Sequence, residues 1–304
     1  MKTARGVLAV SCLIALSWFA AAFGDEVVFL SRDSRCIPGD GLQLAKGSSP
    51  DVPYVSTPYE MAGEMIRLAG VKASDVVYDL GCGDGRLVIE AVKKAGCRGV
   101  GVDIDPERVR ESRVNATRAG VQDRVRFVEQ NFFATDIREA TVMLIYLFPD
   151  INIRLRAKFL GEMRPGSRLV SHAFDMGDWR PDVTSHILAQ RVYLWVIPAN
   201  ATGTWRWKDT GKGRGSHAIE IEQRYQQIQG TLSGGAALSD PKLAGDRVSF
   251  AIEQEIAGVK TRREFTGTVR GDTITGTIVS RQGGRTRSVR WKAVRDAGTQ
   301  RPIE

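Results

Sequence analysis

Three glycines at alternate positions, Gly81, Gly83 and Gly85, interrupt the stretch VYDLGCGDGR, and the carboxylates Asp79 and Asp84 flank the first two. A loop of this kind strips side chains from the backbone, so that a ligand can come close to the main chain. A phosphate cradle, a tight turn and a nucleoside pocket all fit that description. The dinucleotide fingerprint G-x-G-x-x-G needs its third glycine at position 86, and that residue is Arg86. Carboxylates beside a pyrophosphate would also repel it. They suit a ligand that carries positive charge, and S-adenosylmethionine has an α-ammonium and a sulfonium.

A second carboxylate supports a nucleoside ligand. Asp103 ends the apolar run VGVDID about twenty residues beyond the first glycine, where an acid in nucleotide-binding α/β folds accepts the ribose hydroxyls. Ile104 beside it is placed to pack on adenine. Gln130-Asn131-Phe132 closes the next apolar run, and a side-chain oxygen there can accept the adenine amino group. Glycine triplet, acids and Asp103 together are far more specific than any one of them.

These residues need a frame that brings strand ends together. DVVYDLG reads as a strand, Arg86–Ala95 as a helix, GVGVDID as a second strand, and a helix follows Pro106 with Asp105 as its cap. Residues 125–130, 141–148 and 167–174 read as further strands, with a helix over 151–163 between the last two. This alternation predicts an α/β fold, a doubly wound, parallel, Rossmann-like sheet spanning 52–198. After Pro198 the helical periodicity disappears. Gly-Thr recurs at 203–204, 230–231, 267–268 and 276–277, and Gly-Asp at 245–246 and 271–272 marks hairpin turns. Residues 199–304 therefore read as a small antiparallel all-β barrel or half-barrel of seven or eight short strands, with Trp205, Trp207, Phe250, Phe265 and Trp291 in its core.

Composition bounds the function. The 304 residues suffice for two domains, and 42% hydrophobic with 26% charged residues is ordinary globular usage. The net charge of +8 is spread without runs or interleaved aromatics, which argues against a nucleic-acid footprint. Lys2 and Arg5 precede an uncharged apolar run from Val7 to Phe23, and Ala22-Phe23-Gly24 offers small residues at the cleavage positions. Residues 1–24 thus read as a signal peptide or an N-terminal anchor, 25–51 as a linker, and the rest as lying outside the cytoplasm, periplasmic in a bacterium. Cys36, Cys82 and Cys97, with His172, His186 and His217, show no metal-ligand spacing, so no metal is expected.

Residues 54–198 resemble the class I S-adenosylmethionine-dependent methyltransferases. More narrowly, Tyr54-Val55-Ser56-Thr57-Pro58, VVYDLGCGDGR and IYLFPDINIRLR (145–156) resemble the mitochondrial lysine methyltransferases that act on the adenine nucleotide translocase and the c-ring protein of ATP synthase. SHAFDMGDW (171–179) resembles their bacterial relatives. The resemblance implies a cofactor site drawn from Tyr54, Thr57, Asp79, Gly81, Cys82, Gly83, Asp84, Gly85, Asp103, Ile104, Asn131 and Phe132. It also implies an acceptor site beneath the fourth and fifth strands. Asn131 stands where an acid is common in the family, and residues 203–304 are not covered.

For an amine acceptor, Tyr146, Phe148, Pro149 and Trp179 would line an apolar pocket, with Asn152 and Asp175 orienting the nitrogen. Tyr146 and Phe148 also suit plain core, Asn152 a helix cap, and His172 a packed strand position that makes it only a distant candidate base. Three functions fit: a protein-lysine methyltransferase whose substrate includes membrane proteins, a small-molecule methyltransferase whose pocket the β-domain shapes, and a non-catalytic cofactor-binding protein. Export conflicts with a cofactor that is made in the cytoplasm.

Overall fold

The structure, a computed structural model, describes residues 55–209, 215–256, 259–282 and 284–303. The leader or anchor at 1–24, the linker at 25–51 and Tyr54 lie outside the described residues.

α1 (Tyr59–Ala69) buries Met61, Ala62, Met65, Ile66 and Ala69 at helical spacing and stops at Gly70, which takes the left-handed conformation. β1 (Val76–Leu80) is buried along its whole length, as a strand covered on both faces must be. α2 (Arg86–Ala95) follows the glycine loop. Next come β2 (Arg98–Asp103), α3 (Pro106–Arg118) and β3 (Val125–Glu129), and Asp105 caps α3 by accepting from Glu107 N. β4 (Val142–Ile145), α4 (Pro149–Glu162) and β5 (Arg168–His172) complete the alternation.

β1 to β5 pair in parallel, in the order β3-β2-β1-β4-β5. The sheet does not end there, which corrects the all-parallel expectation. A hairpin of β6 (Val183–Ile187) and β7 (Gln190–Val196) adds to β5 through β7, antiparallel, giving the order 3-2-1-4-5-7-6. One face of the sheet packs on α4 through Met143, Ile145, Leu155 and Phe159. The opposite face packs on α1 and α2 through Met61, Met65, Leu87, Leu144 and Val170. The period of two along β4 and β5 decides which residues look which way: Ile145 and Leu169 face α4, Leu144 and Val170 face α1.

The remaining strands are β8 (Gly203–Lys208), β9 (Ser216–Arg224), β10 (Gln227–Leu232), β11 (Ser239–Ala244), β12 (Arg247–Ile256), β13 (Val259–Arg270), β14 (Thr273–Gln282) and β15 (Arg285–Arg295). They form one antiparallel sheet in the order β10-β9-β8-β15-β14-β13-β12-β11. Its two ends approach where Leu238 N donates to Gly230 O at 2.9 Å, so the sheet is a nearly closed barrel. Eight strands match the expected number, but β12 to β15 are 10 to 12 residues long rather than short. Both Gly-Asp pairs occupy hairpin turns, and Trp205, Trp207, Phe250, Phe265 and Trp291 are buried together. At Gly276 a Cβ would lie 1.8 Å from Thr266 O, so two of the recurrent glycines permit strands to cross closely beneath Trp291.

Both sheets belong to the compact unit Ser48–Glu304. Their junction is made by the segment after β5 and by the turn between β9 and β10. Trp179 is 0% exposed, stacks on Tyr225 at 5.7 Å and lies 5.8 Å from Trp195. Its Nε1 donates to Gln226 Oε1 at 2.8 Å.

Candidate functional site

The loop after β1 folds back onto β2, because Gly81 N and Cys82 N both donate to Val102 O, at 2.8 and 3.0 Å. Gly81, Gly83 and Gly85 all have positive φ, of 77°, 53° and 81°. Their alternate spacing is thus a run of left-handed turns that L side chains resist. At Gly85 space is short as well, since a Cβ would lie 2.7 Å from the Phe127 ring and 2.9 Å from Ser112.

Carboxylates converge on this loop. Asp103 is half-buried and accepts from Gly83 N at 2.8 Å and Asp105 N at 3.0 Å, so it fixes the loop as well as facing its cleft. Asp79 is 2% exposed. Burial, then the charges of Asp103 and Asp84, push its carboxyl well above the usual carboxylate range. Asp84 does not have the expected role. Arg86 holds it through Nε at 3.0 Å and Nη2 at 2.6 Å, and reaches Thr57 O through Nη1 at 3.2 Å. The residue that breaks the dinucleotide fingerprint therefore neutralises one loop acid and ties the loop to the start of α1. Asp79 and Asp103 are left as the acids whose charge a cationic ligand would offset. An ammonium beside Asp79 would restore its ionised form. The donor set fits S-adenosylmethionine and disfavours a pyrophosphate.

The other expected cofactor residues divide. Thr57 is buried beside the loop through its carbonyl, and Ile104 is half-buried next to Asp103. The Cys82 thiol is buried and raised in pKa, first by burial and then by Asp79, so only its backbone serves the loop. Asn131 is exposed, and its Oδ1 accepts from Phe133 N at 2.9 Å, capping a single turn at Phe132–Ala134. An adenine amino group would share that oxygen with the turn. Phe132 contributes no ring, because its side chain lies in the core beneath β4.

The acceptor side differs most from expectation. Tyr146 follows β4 and is half-buried, with its ring 4.0 Å from His172 and stacked on Phe174 at 6.2 Å. Phe148 extends this wall toward solvent, 5.9 Å from Phe174. Asn152 is 0% exposed and faces the opposite side of β5. Its Nδ2 donates to Ser171 Oγ, Phe174 O and Asp175 O at 3.2 to 3.4 Å, so it shapes the segment after β5, while its Oδ1 is buried without a partner among the described residues. Asp175 is exposed and its Oδ1 accepts from Gly177 N, a local turn contact. Trp179 is buried in the junction with the barrel and lines no cleft. The expected set missed Phe174, and His172 is the packed strand residue expected, 1% exposed at the end of β5.

Comparison with known proteins fits this geometry. A family profile described as the ANTKMT methyltransferase domain matches residues 79–183. A protein-lysine N-methyltransferase of Saccharolobus islandicus (strain REY15A) is 42% identical over 153 residues, 49% of this chain and 95% of the relative. The chain belongs to this family of S-adenosylmethionine-dependent methyltransferases. Another relative of the methyltransferase is the adenine nucleotide translocase lysine N-methyltransferase of Mus musculus, 30% identical over 43% of this chain and 56% of its own. A solved RNA methyltransferase from Salinibacter ruber, in complex with S-adenosyl-L-homocysteine, is 48% identical over 47% of this chain and 94% of its own, with a TM-score of 0.47.

Proposed function

We propose that this methyltransferase acts on the ε-amine of lysine in a protein substrate. The observation that carries the reading is the 42% identity over nearly the whole of the Saccharolobus islandicus protein-lysine N-methyltransferase. The acceptor side has a chemistry that suits it. When bound, S-adenosylmethionine would supply an electrophilic methyl group on a sulfonium, which a neutral amine could take in line as the C–S bond breaks and a thioether leaves.

Free lysine has a pKa near 10.4, so presenting the neutral amine at pH 7 costs about 4.6 kcal/mol. The wall of Tyr146, Phe148 and Phe174 lowers that cost by disfavouring a solvated ammonium. Asp79, Asp103 and the glycine loop hold the cofactor. Asn152, Ser171 and Arg156 set the path of the segment after β5, and Arg156 Nη1 donates to Met176 O at 3.2 Å. Most of the acceleration then comes from orientation, which these rigid supports provide.

Two further parts of the reading go with this. The barrel at 199–304 serves the acceptor side as a separate domain, a role supported by its contacts with the segment after β5. The chain works outside the cytoplasm, supported by the basic, apolar and small-residue order of its first 24 residues. A topology reporter fused after Glu304 tests the second part. The substrate reading is tested by incubating the protein with labelled S-adenosylmethionine and detergent-solubilised membrane proteins, followed by acid hydrolysis. Label in methyl-lysine is the expected result. Label in nucleic acid, in small molecules or in other side chains overturns it.

A further inference from the structure

His172 closes β5 on the face that carries Tyr146, and it is 1% exposed. Its Nε2 meets Gln190 Oε1 on β7. With the Gln190 amide oriented so that Oε1 faces the ring, as it is placed in the structure, the assigned tautomer has the proton on Nε2 and the lone pair on Nδ1. Nδ1 is buried and has no hydrogen-bond partner among the described residues. An unpaired buried acceptor is costly and asks for an explanation, and a ligand that completes the pairing is one.

The surroundings indicate what that ligand is. The Tyr146 ring lies 4.0 Å from the imidazole, and Phe174 stacks on Tyr146 at 6.2 Å. Phe174 is placed there by a tight turn in which its N–H donates to His172 O across Ala173, a non-glycine residue at φ +63°. Left-handed backbone at such a residue is strained and persists where the surrounding structure enforces it, often at functional sites. Burial pushes the imidazole's pKa down against the Gln190 bond, so the ring is neutral at pH 7 and Nδ1 stays an acceptor. The unpaired atom thus sits at a strand's carboxyl end, beside aromatic faces, and requires a donor.

We propose that His172 Nδ1 accepts a hydrogen bond from an N–H of the methyl-accepting amine, which makes His172 a catalytic residue. The inference rests on the amine reading above. A neutral primary amine has two N–H groups and one lone pair. Pinning one N–H at Nδ1 while the alkyl stem lies along the aromatic wall fixes the direction of the lone pair. No proton passes to His172: a neutral amine enters, an alkylammonium leaves, and the sulfonium becomes a thioether, so charge balances.

Two substitutions separate this role from packing. His172→Gln keeps a donor toward Gln190 and removes the Nδ1 acceptor. His172→Asn keeps an oxygen near the Nδ1 position and loses Gln190. With full-length protein, labelled S-adenosylmethionine and poly-L-lysine, kcat should fall about 10²-fold in H172Q and much less in H172N. Calorimetric affinity for S-adenosylhomocysteine should be unchanged in both. A packing role predicts the reverse order. The second readout is nitrogen NMR of histidine-labelled protein saturated with S-adenosylhomocysteine. Addition of n-butylamine should move the His172 Nδ1 resonance from its free lone-pair position. Methyl-lysine formation by an unimpaired H172Q, or n-butylamine binding with Nδ1 unmoved, overturns the assignment of His172 and leaves the amine reading standing. A wild type that methylates no amine overturns both.

Discussion

The carboxyl edge of the sheet has two halves held in different ways. Beneath β1 and β2 the site is backbone and carboxylate: three glycines in left-handed turns, with Asp103 accepting from Gly83 N across a sequence separation of 20 residues. Beneath β4 and β5 it is aromatic rings, and the segment that follows β5 is anchored by residues far along the chain. Asp178 takes hydrogen bonds from Arg156, Arg224 and Tyr225, and the Trp179 indole donates to Gln226, 47 residues on. A cofactor of fixed shape can be met by a local cradle. The segment after β5 is instead held by parts distant in the chain, and the barrel is one of them.

Breaking the first half should have the largest effect. Gly85→Val forces a β-branched side chain to positive φ and into Phe127 and Ser112, with an expected loss of about 2–5 kcal/mol of stability and of cofactor binding. Urea denaturation with calorimetry measures both, and a stable, binding-competent variant would mean the loop is not the cradle. Asp103→Ala should weaken S-adenosylmethionine by roughly 1.5–3 kcal/mol, the worth of hydrogen bonds to a charged group. Its melting temperature should also drop, since Gly83 N and Asp105 N lose their acceptor. Unchanged affinity in a folded variant would remove Asp103 from the site.

Breaking the second half should be milder and selective. Gln226→Ala removes the indole's acceptor, at about 1 kcal/mol. The KM for a lysine acceptor should rise while cofactor affinity holds. Equal losses in both would show that the junction stabilises the whole protein rather than the acceptor side.

The smallest effect sharpens the contrast through pH. Asp79 has a raised pKa in the folded protein, so the native state binds more protons than the unfolded state above the ordinary carboxylate pKa. Its contribution therefore lowers stability as pH rises through the window up to the folded pKa. For Asp75 burial is the largest single influence and raises the pKa, but hydrogen bonds from Lys72 N, Thr141 and Arg168 together outweigh it and leave the group lowered, so it acts with the opposite sign below its unfolded pKa. A comparison of wild type with Asp79→Asn isolates the first. The variant should lose the decline with rising pH, and saturating S-adenosylmethionine should flatten it in the wild type. A decline that persists in Asp79→Asn assigns it elsewhere.

The same division governed what could be read in advance. The glycine loop, Asp103, the Asp105 cap and the helix over Arg86–Ala95 were legible because the residues that make each feature lie close together along the chain. The hairpin of β6 and β7 was not. Its turn is Leu188-Ala189, both at positive φ, where Gly, Asn or Asp would have marked a reversal. Missing β7 meant missing Gln190, and with it the partner of the His172 ring. Trp179 was misplaced for a related reason. A tryptophan in a loop after a strand suits a ligand wall equally well until Tyr225 and Gln226 are known to cover it. Arg86 was legible only as an absent glycine, because its pairing with Asp84 depends on the loop's curvature.

The spacing along the chain also sets an order of events during synthesis. Once residues to Pro198 have emerged, the glycine loop and Asp103 are both present, and nothing further is needed to close the cradle. Trp179 at that moment lacks Tyr225 and Gln226, which follow about 46 and 47 residues later. Domains form from the N-terminus as they are made. The contacts that close the cradle are thus all available before the segment after β5 is seated, and the junction at Trp179 waits on the second barrel hairpin.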